Sequence, residues 1–390
     1  MKDAGNDRLF SLDILRGLDM VLLTVVGPLF SAINSTWELP KSVMAQFHHA
    51  WGGFTLWDLI MPLFIFMSGA AVPFALSRRM DGGHAGWRYW RHVLIRVALL
   101  WVLGMVAQGR LLSMDPLRIS PFNNPLQTIA CGYLAAAIVM LIPSRRIRIA
   151  IPILLATAYT LILHFGGDYT QNGNAAILFE RWFVPFVTPN GSQVLKLADP
   201  GYTWWATIPM FAAMGLCGME ATEILRSGNP PMRRFAYLAA LGAALLAVGW
   251  VLVPWIPSIK HIFTLTFTAQ AMGWSCLLLA VLYWLTDIMR FRRGTWLLVL
   301  FGQTALLAYM SKEVFRSAFS AFGKEFVPGA VHLFGPNAKP LTIWLASTIL
   351  LVTVLTMRRR ARYGACAAKQ TGLRLIPVIG RTEEMEQNII

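Results

Sequence analysis

The side chains best suited to chemistry lie together in one short segment, residues 48–69, which reads HHAWGGFTLWDLIMPLFIFMSG. His48 and His49 are adjacent, Trp51 follows, and Asp58 stands where a strongly apolar run begins. Imidazole titrates near neutral pH, so a histidine here could take a proton from an amine or hydroxyl nucleophile, or carry an acyl group itself. Ionisable groups in membrane segments usually mark a functional site. A lone interfacial histidine is more often only a satisfied polar group, but two adjacent ones favour function.

Asp58 needs a partner, because an unpaired carboxylate inside an apolar segment is costly. We expect it to meet a His, Arg or Lys from another helix, or to cap backbone amides. It could orient a catalytic histidine or serve helix packing alone, and both readings stay open. Trp51 could form one side of the site and exclude water. His49 could also line the site.

Further polar side chains interrupt apolar blocks elsewhere in the chain. They are Gln127, Gln303, Lys312 and Glu313. Lys312 and Glu313 are adjacent, so they should point to different sides of a helix and need separate partners. Either they line a polar interior that a ligand enters, or they form interhelical hydrogen bonds without further function. Asp13 and Arg16 lie three residues apart, which allows a local ion pair on one helical face. Arg16 could instead contact phosphates, which suit the planar guanidinium fork.

Composition indicates the elements that carry these residues. Of 390 residues, 56% are hydrophobic and only 14% are charged. The apolar residues come in blocks of about 17–25, the length that crosses a hydrocarbon core. The fold class is therefore all-α, a polytopic transmembrane helical bundle. We predict about ten spans, at residues 14–33, 53–76, 91–110, 125–143, 149–165, 203–223, 235–256, 263–286, 296–317 and 341–357.

Loop charge predicts the orientation of these spans. Arginine clusters occupy alternate loops, as the positive-inside rule requires of cytoplasmic ones, which places both termini in the cytoplasm. His48 and His49 then face the opposite, periplasmic or luminal side. The longest loop on that side, about 166–202, could act as a lid or as a plain surface loop. We expect a single domain over residues 1–360 and a cytoplasmic tail over 361–390.

Several classes of function are disfavoured by the same data. The net charge of +15 sits in short loop clusters, which argues against nucleic acid as a partner. The four cysteines show neither metal nor disulfide spacing, and we expect no metal. Small residues in the segment 242–247 could pack against neighbouring helices or another protomer, which leaves a homo-oligomer open.

The ordered motifs resemble one family, the transmembrane acetyltransferases of heparan-alpha-glucosaminide, and particularly bacterial relatives of the DUF5009 and NagX type. The likeness begins with RLFSLDILRGLDM at residues 8–20 and continues in residues 48–69, against a pattern H-x-x-W-x-G-x-T-x-x-D-L-x-x-P. Softer matches are NPLQTIACGY, DPGYTWWATIP, PSIKHIFTLTF and FGQTALLAY. In the third of these the family's P-x-N-K reads Pro257-Ser258-Ile259-Lys260, without the asparagine.

This resemblance implies an acetyltransferase that takes acetyl-CoA from the cytosol. The family's catalytic histidine precedes the tryptophan by three residues, which corresponds to His48. It would act as base or as acetyl carrier, with Asp58 supporting it and Asp199 lining the acceptor site. The CoA would be met by Arg16, Arg78, Arg79, Gln127 and Lys312, with Arg88 and Arg91 as further candidates.

The sequence thus favours a bacterial inner-membrane acyltransferase that acetylates a sugar amine or hydroxyl at the periplasmic face. The alternative is an inner-membrane transporter of amino sugars or small sugar fragments. A weaker third reading is a structural or assembly subunit. A transporter would move sugar without acetyl-CoA, whereas an acetyltransferase would release CoA when an acceptor is present.

Overall fold

The structure is a computed structural model that describes residues 9–79, 85–114, 119–188 and 203–371. Every regular element in these ranges is helical, which confirms the predicted all-α class. The helices are α1 (Phe10–Trp37), α2 (Lys41–Ala45), α3 (Leu56–Leu76), α4 (Trp87–Ala107), α5 (Pro125–Val139), α6 (Arg145–Phe165), α7 (Ala175–Val187), α8 (Trp205–Arg226), α9 (Pro231–Val251), α10 (Leu265–Ile288), α11 (Trp296–Gln303), α12 (Ala305–Glu313), α13 (Arg316–Lys324), α14 (Val327–Phe334) and α15 (Ala338–Thr371).

Within the described ranges, eight helices are long and apolar enough to cross a membrane: α1, α3, α4, α6, α8, α9, α10 and α15. Each coincides with a predicted span, so the chain is a multi-pass membrane protein. The other two predicted spans differ. The span at 125–143 is the 15-residue α5, and the span at 296–317 is broken at Thr304 into α11 and α12.

The helices fall into two units. The first comprises Met1–Phe10 and His49–Arg290, and the second comprises Ser11–His48 and Phe291–Ile390. The single domain over 1–360 therefore stays a prediction. The predicted tail from 361 begins within α15, which continues to Thr371, and residues 372–390 lie outside the described part.

Close helix contacts organise the first unit around α3, which is its most buried span. Gly69 of α3 lies against the Gly215 backbone of α8, and Gly218 of α8 lies against the Phe66 carbonyl. Gly132 of α5 meets the same stretch of α8. Any side chain beyond hydrogen would force these backbones apart, as is usual where membrane helices pack through small residues.

In the second unit, α1 contains a π-helical turn at Leu22–Val26. Such a turn disturbs the regular backbone bonding and leaves carbonyls available to other donors. The indole Nε1 of Trp344 in α15 donates to the Val25 carbonyl at 2.9 Å. The irregular turn thereby joins the first and last spans of this unit.

Candidate active site

The start of α3 is fixed by a capping box built from Thr55 and Asp58. The backbone N–H of Thr55 donates to Oδ2 of Asp58 at 3.0 Å, and the Thr55 hydroxyl donates to the same oxygen at 2.8 Å. In return the Asp58 N–H donates to the Thr55 carbonyl at 3.1 Å. Reciprocal bonds of this kind satisfy the otherwise orphaned amides at a helix start. They occupy one carboxylate oxygen of Asp58 and hold its side chain still.

The other carboxylate oxygen of Asp58 meets two basic side chains. Its Oδ1 lies 2.6 Å from Nδ1 of His49 and 3.3 Å from Nζ of Lys260. Lys260 also lies 2.8 Å from Nδ1 and 3.0 Å from Nε2 of His49. Asp58 is 1% exposed and Lys260 only 5%. The expectation that Asp58 meets a basic partner and caps backbone amides is confirmed in both parts.

The Asp58 carboxylate lies 2.6 Å from Nδ1 of His49 and so favours the tautomer in which Nδ1 carries the proton and donates it. In that tautomer Nε2 carries the lone pair and lies 3.0 Å from Nζ of Lys260, which is also 2.8 Å from Nδ1. The carboxylate and the ammonium offset each other's charge in this buried cluster. Asp58 thus sets the tautomer of His49, as a carboxylate does in an acyl-transfer triad.

Lys260 lies in the loop between α9 and α10, outside the spans. Burial lowers the pKa of its ammonium from 10.5 to about 8, although the Asp58 carboxylate opposes that fall. A proton can therefore leave or return to Nζ near physiological pH. Perturbation of this size, together with a specific charge partner, is typical of functional sites.

Trp51 forms one wall beside the cluster. Its indole Nε1 donates to the Tyr169 carbonyl at 3.0 Å, in the loop between α6 and α7. Its ring stacks on His261, with centroids 5.1 Å apart and planes 21° apart. Nearby, the Gly53 N–H donates to the Ser258 carbonyl at 2.8 Å. The segment before α3 and the loop before α10 are therefore held together at Ser258 and His261, on either side of Lys260 in the loop.

The loop that carries Lys260 and His261 is itself braced. The phenol of Tyr159 in α6 donates to the Ile262 carbonyl at 2.8 Å. Inside the loop, the Ile259 N–H donates to the Thr264 hydroxyl at 3.0 Å. A catalytic group must be held in place by its surroundings if its geometry is to be productive, and Lys260 meets this condition.

His48 is exposed and is the last residue of the first segment of the second unit, immediately before His49 in the chain. The sequence assigned the support of Asp58 to His48, whereas the hydrogen bond recorded here goes to His49. The catalytic role of His48 stays a prediction. Asp199, placed at the acceptor site, lies outside the described residues.

The residues predicted to meet CoA are distributed over several elements. Arg16 lies half-buried on α1. Arg78 and Arg79 lie in the 3₁₀ turn after α3, and the Arg79 guanidinium donates to the Ala75 carbonyl. Gln127 is fully buried, accepting from the Asn123 N–H at 2.8 Å and donating to the Pro121 carbonyl at 2.6 Å. Gln127 thereby braces the loop before α5. Contact with CoA remains a prediction for all four.

Lys312 and Glu313 correct one expectation. They do not require separate partners, because Nζ of Lys312 lies 3.5 Å from Oε1 of Glu313. Glu313 is the last residue of α12, so neighbouring side chains there can bend toward each other where the helix ends. Binding of CoA by Lys312 stays a prediction.

Two residues of interest did not stand out in the sequence. Lys260 looked like an ordinary charge in a loop, although it fell in a stretch that resembled the family. Glu180 of α7 is 4% exposed and accepts from the Ala206 N–H at 2.9 Å. Burial raises the pKa of its carboxyl from 4.5 to about 7. No pattern in the sequence predicted that this glutamate turns inward.

Comparison with known families gives one match. Residues 8–180 match the family model DUF5009, a domain of unknown function. No curated protein matches the chain. The matched region contains the histidine pair, Trp51 and Asp58, while Lys260 lies beyond it. The DUF5009 part of the resemblance is thereby confirmed for this region of the chain.

Proposed function

We propose that this protein is a transmembrane acetyltransferase that passes an acetyl group from acetyl-CoA to a sugar amine or hydroxyl, with the cluster of His49, Asp58 and Lys260 at its centre. The observation that carries the proposal is the hydrogen-bonded chain from Asp58 through His49 to Lys260 at the mouth of a span. The resemblance of residues 48–69 to heparan-alpha-glucosaminide acetyltransferases supports the choice of donor. The proposed setting is a bacterial inner membrane, with acetyl-CoA arriving from the cytosol.

In the proposed reaction, the acceptor nitrogen or oxygen attacks the thioester carbonyl carbon. The ammonium of Lys260 turns away from Nε2 of His49 toward the carbonyl oxygen of the thioester. The proton of the attacking acceptor group then passes to this Nε2. Asp58 stabilises the resulting imidazolium through Nδ1, and the ammonium stabilises the developing oxyanion. When the C–S bond breaks, the imidazolium returns the proton to the departing CoA thiolate. All atoms and charges balance without a metal.

His48 fits the same scheme in a second way. The resemblance assigns it the role of base or acetyl carrier, and it directly precedes His49. If His48 carries the acetyl group, CoA leaves in a first step that needs no acceptor, and the acceptor then attacks acetyl-His48. A burst of CoA release without acceptor distinguishes this route from direct transfer.

The experiment is CoA release from acetyl-CoA by the purified protein in lipid nanodiscs, with and without glucosamine-type acceptors. His48→Ala and His49→Ala are compared with His332→Ala, which removes an exposed histidine of α14. We expect acceptor-dependent release in the wild type and in His332→Ala, and a loss of roughly 10²–10⁴-fold in His49→Ala. Full activity of His49→Ala would remove the cluster from the mechanism. No release with any acceptor from folded protein would refute acetyl transfer.

The second candidate, a transporter of amino sugars, is favoured by the same buried charges, since such groups also mark proton relays in transporters. It predicts uptake of labelled sugar into vesicles without acetyl-CoA. It also predicts that uptake survives in His48→Ala. The two assays together separate the candidates.

A further inference from the structure

Helix α7 is too short to cross the membrane and is not a surface helix of the usual polar kind. Its 13 residues extend about 20 Å, against about 30 Å of hydrocarbon core. It follows α6 after a short loop and begins at Ala175, capped by Asn174, whose side chain accepts from the Ile177 N–H at 2.8 Å. It therefore lies beside the end of α6 opposite the arginine-rich start of that span.

The two sides of α7 are distinct. One side is buried within the first unit and carries Ala176, Ile177, Glu180 and Val184. The other side is exposed and largely apolar, with the exposed Arg181 at its edge. It presents Leu178, Phe179, Trp182 and Phe186, whose exposed fractions are 48%, 38%, 62% and 74%. Helical geometry gathers these four within a 100° arc. We call them the aromatic face of α7.

Two contacts with the start of α8 fix this orientation, and contacts within α7 join its exposed rings. Glu180 accepts from the Ala206 N–H at the start of α8. Phe183 packs edge-on against Trp205, with centroids 5.5 Å apart. Trp182 contacts both Phe179 and Phe186, at 5.8 and 5.5 Å between centroids, so the face is one continuous row of rings. The helix cannot rotate the row inward without breaking the bond at Glu180.

We propose that α7 lies in the membrane interface, with its aromatic face in contact with the boundary between lipid headgroups and acyl chains. Tryptophan and phenylalanine suit this zone, and helices with one apolar face lie within it. The face also continues a lipid-facing surface. α7 packs against α6, which is largely exposed along its length and ends at Phe165, a residue that is 81% exposed.

The short loop between α6 and α7 connects α7 to the candidate site. Tyr169 lies between α6 and α7, and its carbonyl accepts the indole N–H of Trp51. α7 is therefore linked to Trp51 and, through stacking, to His261. Lipid contact of α7 does not depend on acetyl transfer.

The test uses nitroxide labels in the full-length protein in nanodiscs of phosphatidylcholine and phosphatidylglycerol. Labels are placed at Trp182→Cys and Phe186→Cys after the four native cysteines are replaced. The control is Gln171→Cys, in the exposed loop before α7. We expect oxygen to relax the labels at 182 and 186 several-fold more than a water-soluble nickel complex does, and the reverse at 171. Equal nickel access at 182 and 171 would overturn the proposal. So would protection of 182 from both reagents, which would indicate a second protein copy.

A second measurement needs no label. Quenching of intrinsic fluorescence by brominated lipids should fall in Trp182→Phe. The matched control is Trp204→Phe, which removes an indole that is 2% exposed. A loss of quenching in Trp182→Phe no larger than in the control would contradict the proposal.

Discussion

Glu180→Gln tests whether a buried carboxylate fastens α7 to the start of α8. The carboxyl is 4% exposed and accepts the Ala206 N–H at 2.9 Å. Burial raises its pKa from 4.5 to about 7, although the N–H groups of Ala206 and Trp205 favour the ionised form. Glutamine keeps an oxygen that can accept the same N–H but never ionises. The substitution therefore isolates the cost of a buried charge.

Because the pKa of Glu180 is raised in the folded protein, stability falls as pH rises. Below pH 4.5 the carboxyl is protonated in both the folded and the unfolded chain, so it has no effect on stability. As pH rises, the unfolded chain loses its proton first, so stability falls until pH passes about 7 and then stays low. A shift from 4.5 to about 7 corresponds to about 3 kcal/mol, of which about 2.5 kcal/mol develops between about pH 5 and pH 8. With unfolding entropies typical for this chain length, that is roughly 3 °C in the thermal midpoint.

The assay is the thermal unfolding midpoint in detergent, measured across this pH range. The wild type should lose about 3 °C relative to Glu180→Gln between pH 5 and pH 8. Glu325→Gln, which changes an exposed glutamate just after α13, should follow the wild type. If the thermal midpoints of the wild type and Glu180→Gln change with pH in parallel, burial of the ionised Glu180 carboxylate does not cost stability. Equal destabilisation of Glu180→Gln at every pH would show that glutamine cannot replace the bond to Ala206.

Three further predictions concern the site and the helix packing. Asp58→Asn should lower CoA release by roughly 10²–10³-fold, because an amide no longer fixes the tautomer of His49. Wild-type activity in that variant would contradict the proton assignment. Activity should fall as pH rises through about 8, where Lys260 loses its proton. Lys260→Arg should retain part of the activity without this fall at high pH, whereas Lys260→Met should lose the activity altogether. If the fall near pH 8 persists in Lys260→Arg, Lys260 is not its source. Gly218→Ala should destabilise the fold by about 1–3 kcal/mol or more, because its Cβ would meet the Phe66 carbonyl. Gly329→Ala, in open space on α14, serves as the control, and equal folded yields and thermal midpoints would contradict the packing argument.

The membrane fold and the kinds of partner that Asp58 meets were predictable, because both rest on strong penalties. Long apolar blocks have few alternatives to spanning helices, and eight predicted spans coincide with long helices in the described residues. A carboxylate at the mouth of a span must find partners, and Asp58 found a histidine, a lysine and a backbone amide. In each case the free energy of leaving a polar group unsatisfied decides the outcome.

Predictions failed where local context outweighed average hydrophobicity. The apolar stretch over 296–317 is not one helix, because the helix is interrupted at Thr304. The Thr304 hydroxyl donates to the Leu300 carbonyl at 2.7 Å. The helix α7 was missed because its aromatic residues stand in a segment that lacks the length of a span. Lys312 and Glu313 were predicted to diverge, but the end of α12 lets them pair.

Lys260 shows why the centre of the site could not be derived from the sequence. It lies 211 residues after His49, in a loop where a lysine is usually solvated, yet its side chain is 5% exposed and within 3.0 Å of Nε2 of the imidazole. Its ammonium offsets the negative charge of the buried Asp58 carboxylate. The loss of a proton from Lys260 near pH 8 changes the charge next to the histidine. The lysine therefore accounts both for the tolerance of a carboxylate at the mouth of a span and for the positive charge that the proposed transfer places beside the thioester oxygen.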